Sequence, residues 1–70
     1  MKIRYSYHAL LRMGERGISK KEIEIAIVLG VKDDAPGGIR VALHQTKHRA
    51  LTVKYRIISE LEIKVITTYY

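Results

Sequence analysis

The 70-residue chain has no cysteine. That excludes disulfides and thiolate metal sites, and it fits a reducing compartment. It has no asparagine and a single glutamine, whereas Lys, Glu, Arg, Ile and Val are plentiful. This is the balance reported for proteins of thermophiles. No apolar run approaches the roughly 20 residues that cross a bilayer. The first residues lack the pattern of a signal peptide, so the expected location is the cytoplasm and no membrane partner is expected. No repeat, low-complexity tract or linker divides the chain, and residues 1–70 should form one domain. A chain this short hides only about 60% of its unfolded surface. With disulfides excluded, a metal or a partner chain is the remaining kind of reinforcement. Carboxylates are also scarce, 7 Asp plus Glu against 13 Lys plus Arg, for a net charge of +6. That excess predicts attraction to polyanions, of which nucleic acid is the commonest.

Up to residue 30 the signals are helical. Ser6 can cap a first helix and Gly17 can close it. Ser19 begins S-K-K-E, a capping box in which Glu22 reaches back. A second helix should then run from about Lys20 to Leu29, closed by Gly30. The stretch EIEIAIV at 22–28 alternates as a strand would, but cap and closing glycine agree on a helix. Residues 1–5 can add a short strand, and DDAPGG at 33–38 reads as a loop. Three runs of strand character follow: GIRVALHQ, RALTVKYRII and LEIKVITTYY, with turns at 46–48 and at Ser59 and Glu60. Period two puts Ile39, Val41 and Leu43 on one face, with Leu51, Val53, Tyr55 and Ile57, and Leu61, Ile63 and Val65. Packing these faces on the helices gives a two-layer α+β domain, two N-terminal helices on a three- to four-stranded antiparallel sheet.

The other face of that sheet carries Arg40 and His44, then Thr52, Lys54 and Arg56, then Glu62, Lys64 and Thr68. Two readings stand: a solvated face, which antiparallel sheets commonly have, or a basic platform for a nucleic-acid backbone. On the second, Arg40, His44, Lys54, Arg56 and Lys64 are the binding residues. The first helix poses the same choice. His8, Arg12 and Arg16 fall within about 80° of one another at helical spacing, with Leu10 and Gly14 opposite and facing the sheet. The stripe is either solvated or a phosphate site. Arginine matches phosphate oxygens with a planar fork, and histidine exchanges protons near neutrality. RNA brings its own nucleophile, the 2′-hydroxyl, so a base, a guanidinium and an acid suffice, with no metal or other cofactor.

The remaining candidates are weaker. His8, His44 and His48 lack the spacing of a helical zinc motif, so no metal site is expected. Asp33 and Asp34 read as turn formers beside Pro36 and Gly37. Tyr55 belongs with the core, whereas Tyr70 is the tyrosine freest to stack. The apolar last run VITTYY could expose an edge on which a second copy pairs, giving a homodimer.

The stretch SYHALLRMGERGIS resembles the signature of a family of small prokaryotic domains of unknown function, H-A-x-x-R-M-x-x-R-G-I-S. The matching residues are His8, Ala9, Arg12, Met13, Arg16, Gly17, Ile18 and Ser19. Val65, Ile66, Thr67 and Tyr69 match a closing strand like V-I-T-x-Y. That family is similar to RelE/ParE-like toxins and is grouped with the barnase–EndoU–colicin–RelE ribonuclease fold, two helices followed by a curved antiparallel sheet. The resemblance implies metal-independent RNA cleavage by 2′-hydroxyl attack, often by the toxin of a toxin–antitoxin pair. It implies free RNA or ribosome-bound mRNA as substrate and an acidic antitoxin as partner. Carried over residue by residue, it points to His8, Arg12, Arg16 and Tyr69 as catalytic. Alternation from Ile63 and Val65 puts Tyr69 on the buried face, unless a bulge near the chain end turns it outward.

Overall fold

Ser6 and Ser19 start the two helices as the sequence predicts. The computed structural model describes residues 1–70. The Ser6 hydroxyl accepts from the Ala9 N–H at 3.0 Å and opens helix α1, Tyr7–Arg16. Gly17 ends it in the left-handed region at φ 65°, where glycine has no Cβ penalty. Both halves of the Ser19–Glu22 capping box are made, and helix α2 runs Lys20–Leu29. Gly30 follows, but its φ is −70°. Glycine is required there by close approach: a Cβ would stand 2.8 Å from the Leu43 carbonyl oxygen.

The architecture is α+β, two helices on one face of a five-stranded mixed sheet. The strands are β1 (Lys2–Tyr5), β2 (Val31–Ala35), β3 (Ile39–Gln45), β4 (Ala50–Ser59) and β5 (Glu62–Tyr69), in spatial order β1-β5-β4-β3-β2. β2 to β5 form an antiparallel meander, and β1 pairs parallel to β5. Two expectations change here. The sheet has five strands and is mixed, and residues 31–35, of which 33–35 were expected in a loop, form an edge strand. Edge strands tolerate charge, and Asp33 and Asp34 serve the edge as solvated groups. The turn itself is only Pro36–Gly38, with Gly37 and Gly38 at φ 80° and 74°. β5 lies inside the sheet, so the last run is not the exposed edge expected of it; the edges are β1 and β2.

The core joins Ala9, Met13 and Ile18 to Ile23, Ala26 and Ile27 of α2 and to Ala42, Leu51, Val53, Tyr55, Ile63 and Val65 of the sheet. Each large side chain fully buried here, such as Ile23, Leu51 or Val65, is worth about 1.5–3 kcal/mol. α1 meets the sheet through Ala9 and Met13, not through Leu10 and Gly14, which are exposed. The 100° rule fixed the stripe's width, but not which flank of it touches the sheet.

Three strand assignments are corrected. On β3 the inward residue is Ala42, paired with Val53, while Leu43 is exposed and Ile39 and Val41 are half-buried. On the helix side Ala42 packs in the same core cluster as Ile23, Ala26 and Ile27 of α2. On β4 and in the turn after it, Ile57 and Leu61 are exposed rather than buried, although Ile57 pairs in register with the buried Ile63. On β5, Val65 pairs with Tyr55 but Thr67 pairs with Lys54, which leaves Ile66 as an extra residue. Beyond this bulge the parity inverts. Thr68, assigned to the open face, is fully buried and donates to the Thr52 carbonyl at 2.8 Å, and Tyr69 turns to the open face.

Candidate nucleic-acid interface

Side chains paired across neighbouring strands share a face, so the ladders show what the open face carries. β1 supplies Lys2 and Arg4, which pair with Glu62 and Lys64 of β5. Lys64 pairs in turn with Arg56 of β4. Arg4, Lys64 and Arg56 therefore stand side by side on three adjacent strands, about 4.8 Å apart at the backbone. Like charges directly opposite each other destabilise a sheet, and one carboxylate is at hand. Glu62 meets the Arg4 guanidinium at 3.0 Å. The Arg56 guanidinium donates to the Gly37 carbonyl, which fixes its reach without neutralising it. Lys64 has no hydrogen bond or ion pair. Further along, Lys54 pairs with Thr67 and its ammonium lies 5.8 Å from the centre of the Tyr69 ring.

The predicted site residues divide among three places. Lys54, Arg56 and Lys64 are on the open face as expected, and Tyr69 joins them through the Ile66 bulge. Arg40 and His44 are not there. They pair with Tyr55 and Leu51 of the core and so lie on the helix side, for the same reason that places Ala42 inward. Arg40 meets Asp34 at 3.2 Å, and His44 lines a small cavity of about 60 Å³ with Glu22, Ile25 and Leu51. The third group is on α1. His8 and Arg16 are exposed, and Arg12 meets Glu15 at 2.9 Å. No hydrogen bond or ion pair links the three to one another or to Tyr69, and α1 packs on the face of the sheet that Tyr69 points away from.

Lys2 and Arg4 belong to this open face and were not among the residues expected there. Their signal was the alternation K-I-R-Y, which puts both cations on one face of β1. A further cluster was missed at the other end of the sheet. The Tyr70 hydroxyl donates to Glu22 Oε2 at 2.7 Å, and the Arg49 guanidinium lies 3.5 Å from the Tyr70 ring centre and 3.5 Å from the same carboxylate. The hydroxyl of Tyr70 and the N–H of Ser19 hold the Glu22 carboxyl below its usual range. Burial, then the bond to Glu22, pushes the Tyr70 hydroxyl up to about 12. Tyr70 is therefore committed to binding the helix connection, not free to stack.

The fold and this face define a small α+β domain with helices on one side and a bare sheet face on the other, basic across β1, β5 and β4 and apolar at Val41 and Leu43 of β3 and Val31 of β2. The chain belongs to the family described as Domain of unknown function (DUF4258), whose profile matches residues 5–70. Comparison with curated proteins and with solved structures gave no match. No helix is long and apolar enough to cross a membrane.

Proposed function

We propose that the protein binds RNA by its phosphate backbone, on the open face of the sheet. The observation that carries this reading is the in-register row Arg4, Lys64 and Arg56. Three adjacent cations on a surface with one nearby carboxylate cost stability unless an anion lies across them, and a phosphodiester chain supplies anions at repeating intervals. Lys2 and Lys54 extend the row on either side, and Tyr69 offers a ring beside Lys54 on which a base can stack. Phosphate contacts of this kind carry affinity rather than sequence preference. The test is binding of a labelled single-stranded RNA across a salt series. Steep weakening with salt, reduced in Lys64→Gln and Arg56→Gln, is the expected result; salt-independent binding, or none, ends the reading.

The second reading is cleavage, as the resemblance to RelE-like toxins implies. Two observations favour it. Two helices precede the antiparallel strands β2 to β5, as that fold leads one to expect, although β1 comes before them, and His8 and Arg16 have no partner within the chain, so both remain available to a phosphate. In this reading His8 acts as general acid or base and Arg12 and Arg16 stabilise the phosphorane, with RNA passing from the open face to α1. An acidic antitoxin would compete for the same cations. RNA incubated with the protein and EDTA, beside His8→Ala and Arg12→Ala, decides it: products ending in 2′,3′-cyclic phosphate and lost in both variants support cleavage, and intact RNA that is nonetheless bound leaves the first reading alone.

A further inference from the structure

A second surface lies on the helix side, along the outer edge of β1. The Lys2 N–H donates to the Leu61 carbonyl at 2.7 Å and the Ser6 N–H to the Val65 carbonyl at 2.9 Å. The even-numbered residues of this strand thus turn their N–H groups towards β5. Strand alternation directs the N–H and C=O groups of Ile3 and Tyr5 the other way, to an edge that no strand covers. Beside this edge runs a groove of about 460 Å³ between β1 and α2, lined by Met1, Ile3, Tyr5, Lys20, Glu24 and Val28. Met1 and Val28 are more than two-thirds exposed, and Lys20 holds its ammonium 5.3 Å from the Tyr5 ring centre. The Tyr5 hydroxyl is buried with no hydrogen-bond partner, an uncommon and costly state. Burial and the nearby Glu24 charge both keep it protonated, as a donor.

An open edge beside a groove with apolar walls, here Met1, Ile3, Tyr5 and Val28 beside Lys20 and Glu24, is the arrangement in which an extended peptide adds a strand to a sheet. The two faces of β1 then set what that strand must carry. Residues opposite Ile3 and Tyr5 enter the groove, where Ile3, Met1 and Val28 favour apolar side chains. Residues opposite Lys2 and Arg4 emerge on the open face, where they meet cations. The other edge, β2, offers no such match: its exposed residues include Asp33 and Asp34, which repel an acidic strand. We propose that the β1 edge binds an extended peptide segment of a partner protein in which apolar and acidic residues alternate. This surface is independent of RNA cleavage and reaches the basic row only at Lys2 and Arg4.

The probe is a capped peptide, (Glu-Val)3, titrated into the intact protein while backbone amide exchange is followed by NMR. A peptide of the same composition in block order, three Glu then three Val, is the control. The expected result is slowed exchange at the Ile3 and Tyr5 amides with the alternating peptide and not with the control. Val28→Glu, a surface change in the groove wall, should weaken binding about tenfold, the loss of one well-packed contact. Ile3→Pro removes an outward N–H without touching a bond to β5 and should abolish protection at Tyr5; its folding is checked by the unchanged resonances of α2. Unchanged exchange at Ile3 and Tyr5 under saturating peptide overturns the proposal. Equal response to both peptides, or shifts confined to Lys54 and Arg56, overturns it too, since either outcome means charge attraction alone.

Discussion

Replacing Lys64 by glutamine should weaken RNA binding and stabilise the protein at the same time. Lys64 is the middle cation of the row, paired with Arg4 on one side and Arg56 on the other. If Lys2, Lys54, Arg56 and Lys64 are the phosphate contacts, Arg4 being held by Glu62, each contributes about −0.7 to the slope of log K against log salt for a single strand. The parent slope is then about −2.8, and affinity should fall about 50-fold between 50 and 200 mM salt. Lys64→Gln lowers the slope to about −2.1 and the loss to about 18-fold over the same interval. Glutamine keeps most of the aliphatic stem and removes the charge, so the strand keeps its packing. Relief of a like-charge pair on a sheet is worth about 0.2–1 kcal/mol. With a urea m-value of about 1 kcal/mol/M for so small a domain, the midpoint should rise by about 0.2–1 M. Fluorescence anisotropy with a labelled oligouridylate measures the slope, and urea unfolding followed by circular dichroism measures the midpoint. An unchanged slope removes Lys64 from the interface. A lowered midpoint refutes the physical premise that the row is held together against repulsion.

Three other outcomes test the fold and its second cluster. Gly30→Ala should destabilise by about 1–3 kcal/mol, because the new methyl meets the Leu43 carbonyl oxygen at 2.8 Å between two rigid backbones; thermal unfolding reads it. Thr68→Val keeps the shape of a fully buried side chain but deletes its bond to the Thr52 carbonyl, for an expected loss of about 1 kcal/mol measured in the same way. Tyr70→Phe should cost about 1 kcal/mol, with a defined pH dependence. The folded-state carboxyl of Glu22 is lowered, so its stabilisation is present above the ordinary carboxylate range and lost as pH falls through the lowered value. The folded-state hydroxyl of Tyr70 is raised to about 12, so its contribution is present below its unfolded value of about 10 and lost as pH rises through about 12. Urea midpoints of parent and variant should therefore be farthest apart near neutrality and converge at both extremes; a gap that does not vary with pH would mean that the variant loses packing only.

Local chemistry was legible where one residue type has one local use. Ser6, Ser19, Glu22 and Gly17 fix both helices because a cap is completed within four residues of itself, and no distant contact can move it. Strand faces are a different matter. Alternation gives parity but not sign, and on β3 the apolar set Ile39, Val41 and Leu43 outweighed the single Ala42 in the sequence. What decides between them is which side α2 covers, since Ile23, Ala26 and Ile27 pack in one core with Ala42, and that is set only when the chain has folded. Arg40 and His44 changed face with it. On β5 the sign reverses inside the strand, at Ile66, and nothing local to VITTYY marks the extra residue. It is held by elements the strand meets only after folding: the Ser6 hydroxyl donates to the Ile66 carbonyl at 2.7 Å, and the Thr68 hydroxyl donates to that of Thr52. The bulge turns Tyr69 outward beside Lys54 and buries Thr68 instead. The same bond ties the start of α1, two residues before His8, to the point on β5 where the parity inverts. The α1 stripe and the open face are thus held by one junction while pointing to opposite sides of the sheet. An RNA that used both would have to pass around the end of β5, so the proposed binding on the sheet and the proposed cleavage at His8 are separable proposals, and variants of the two surfaces should fail in different assays.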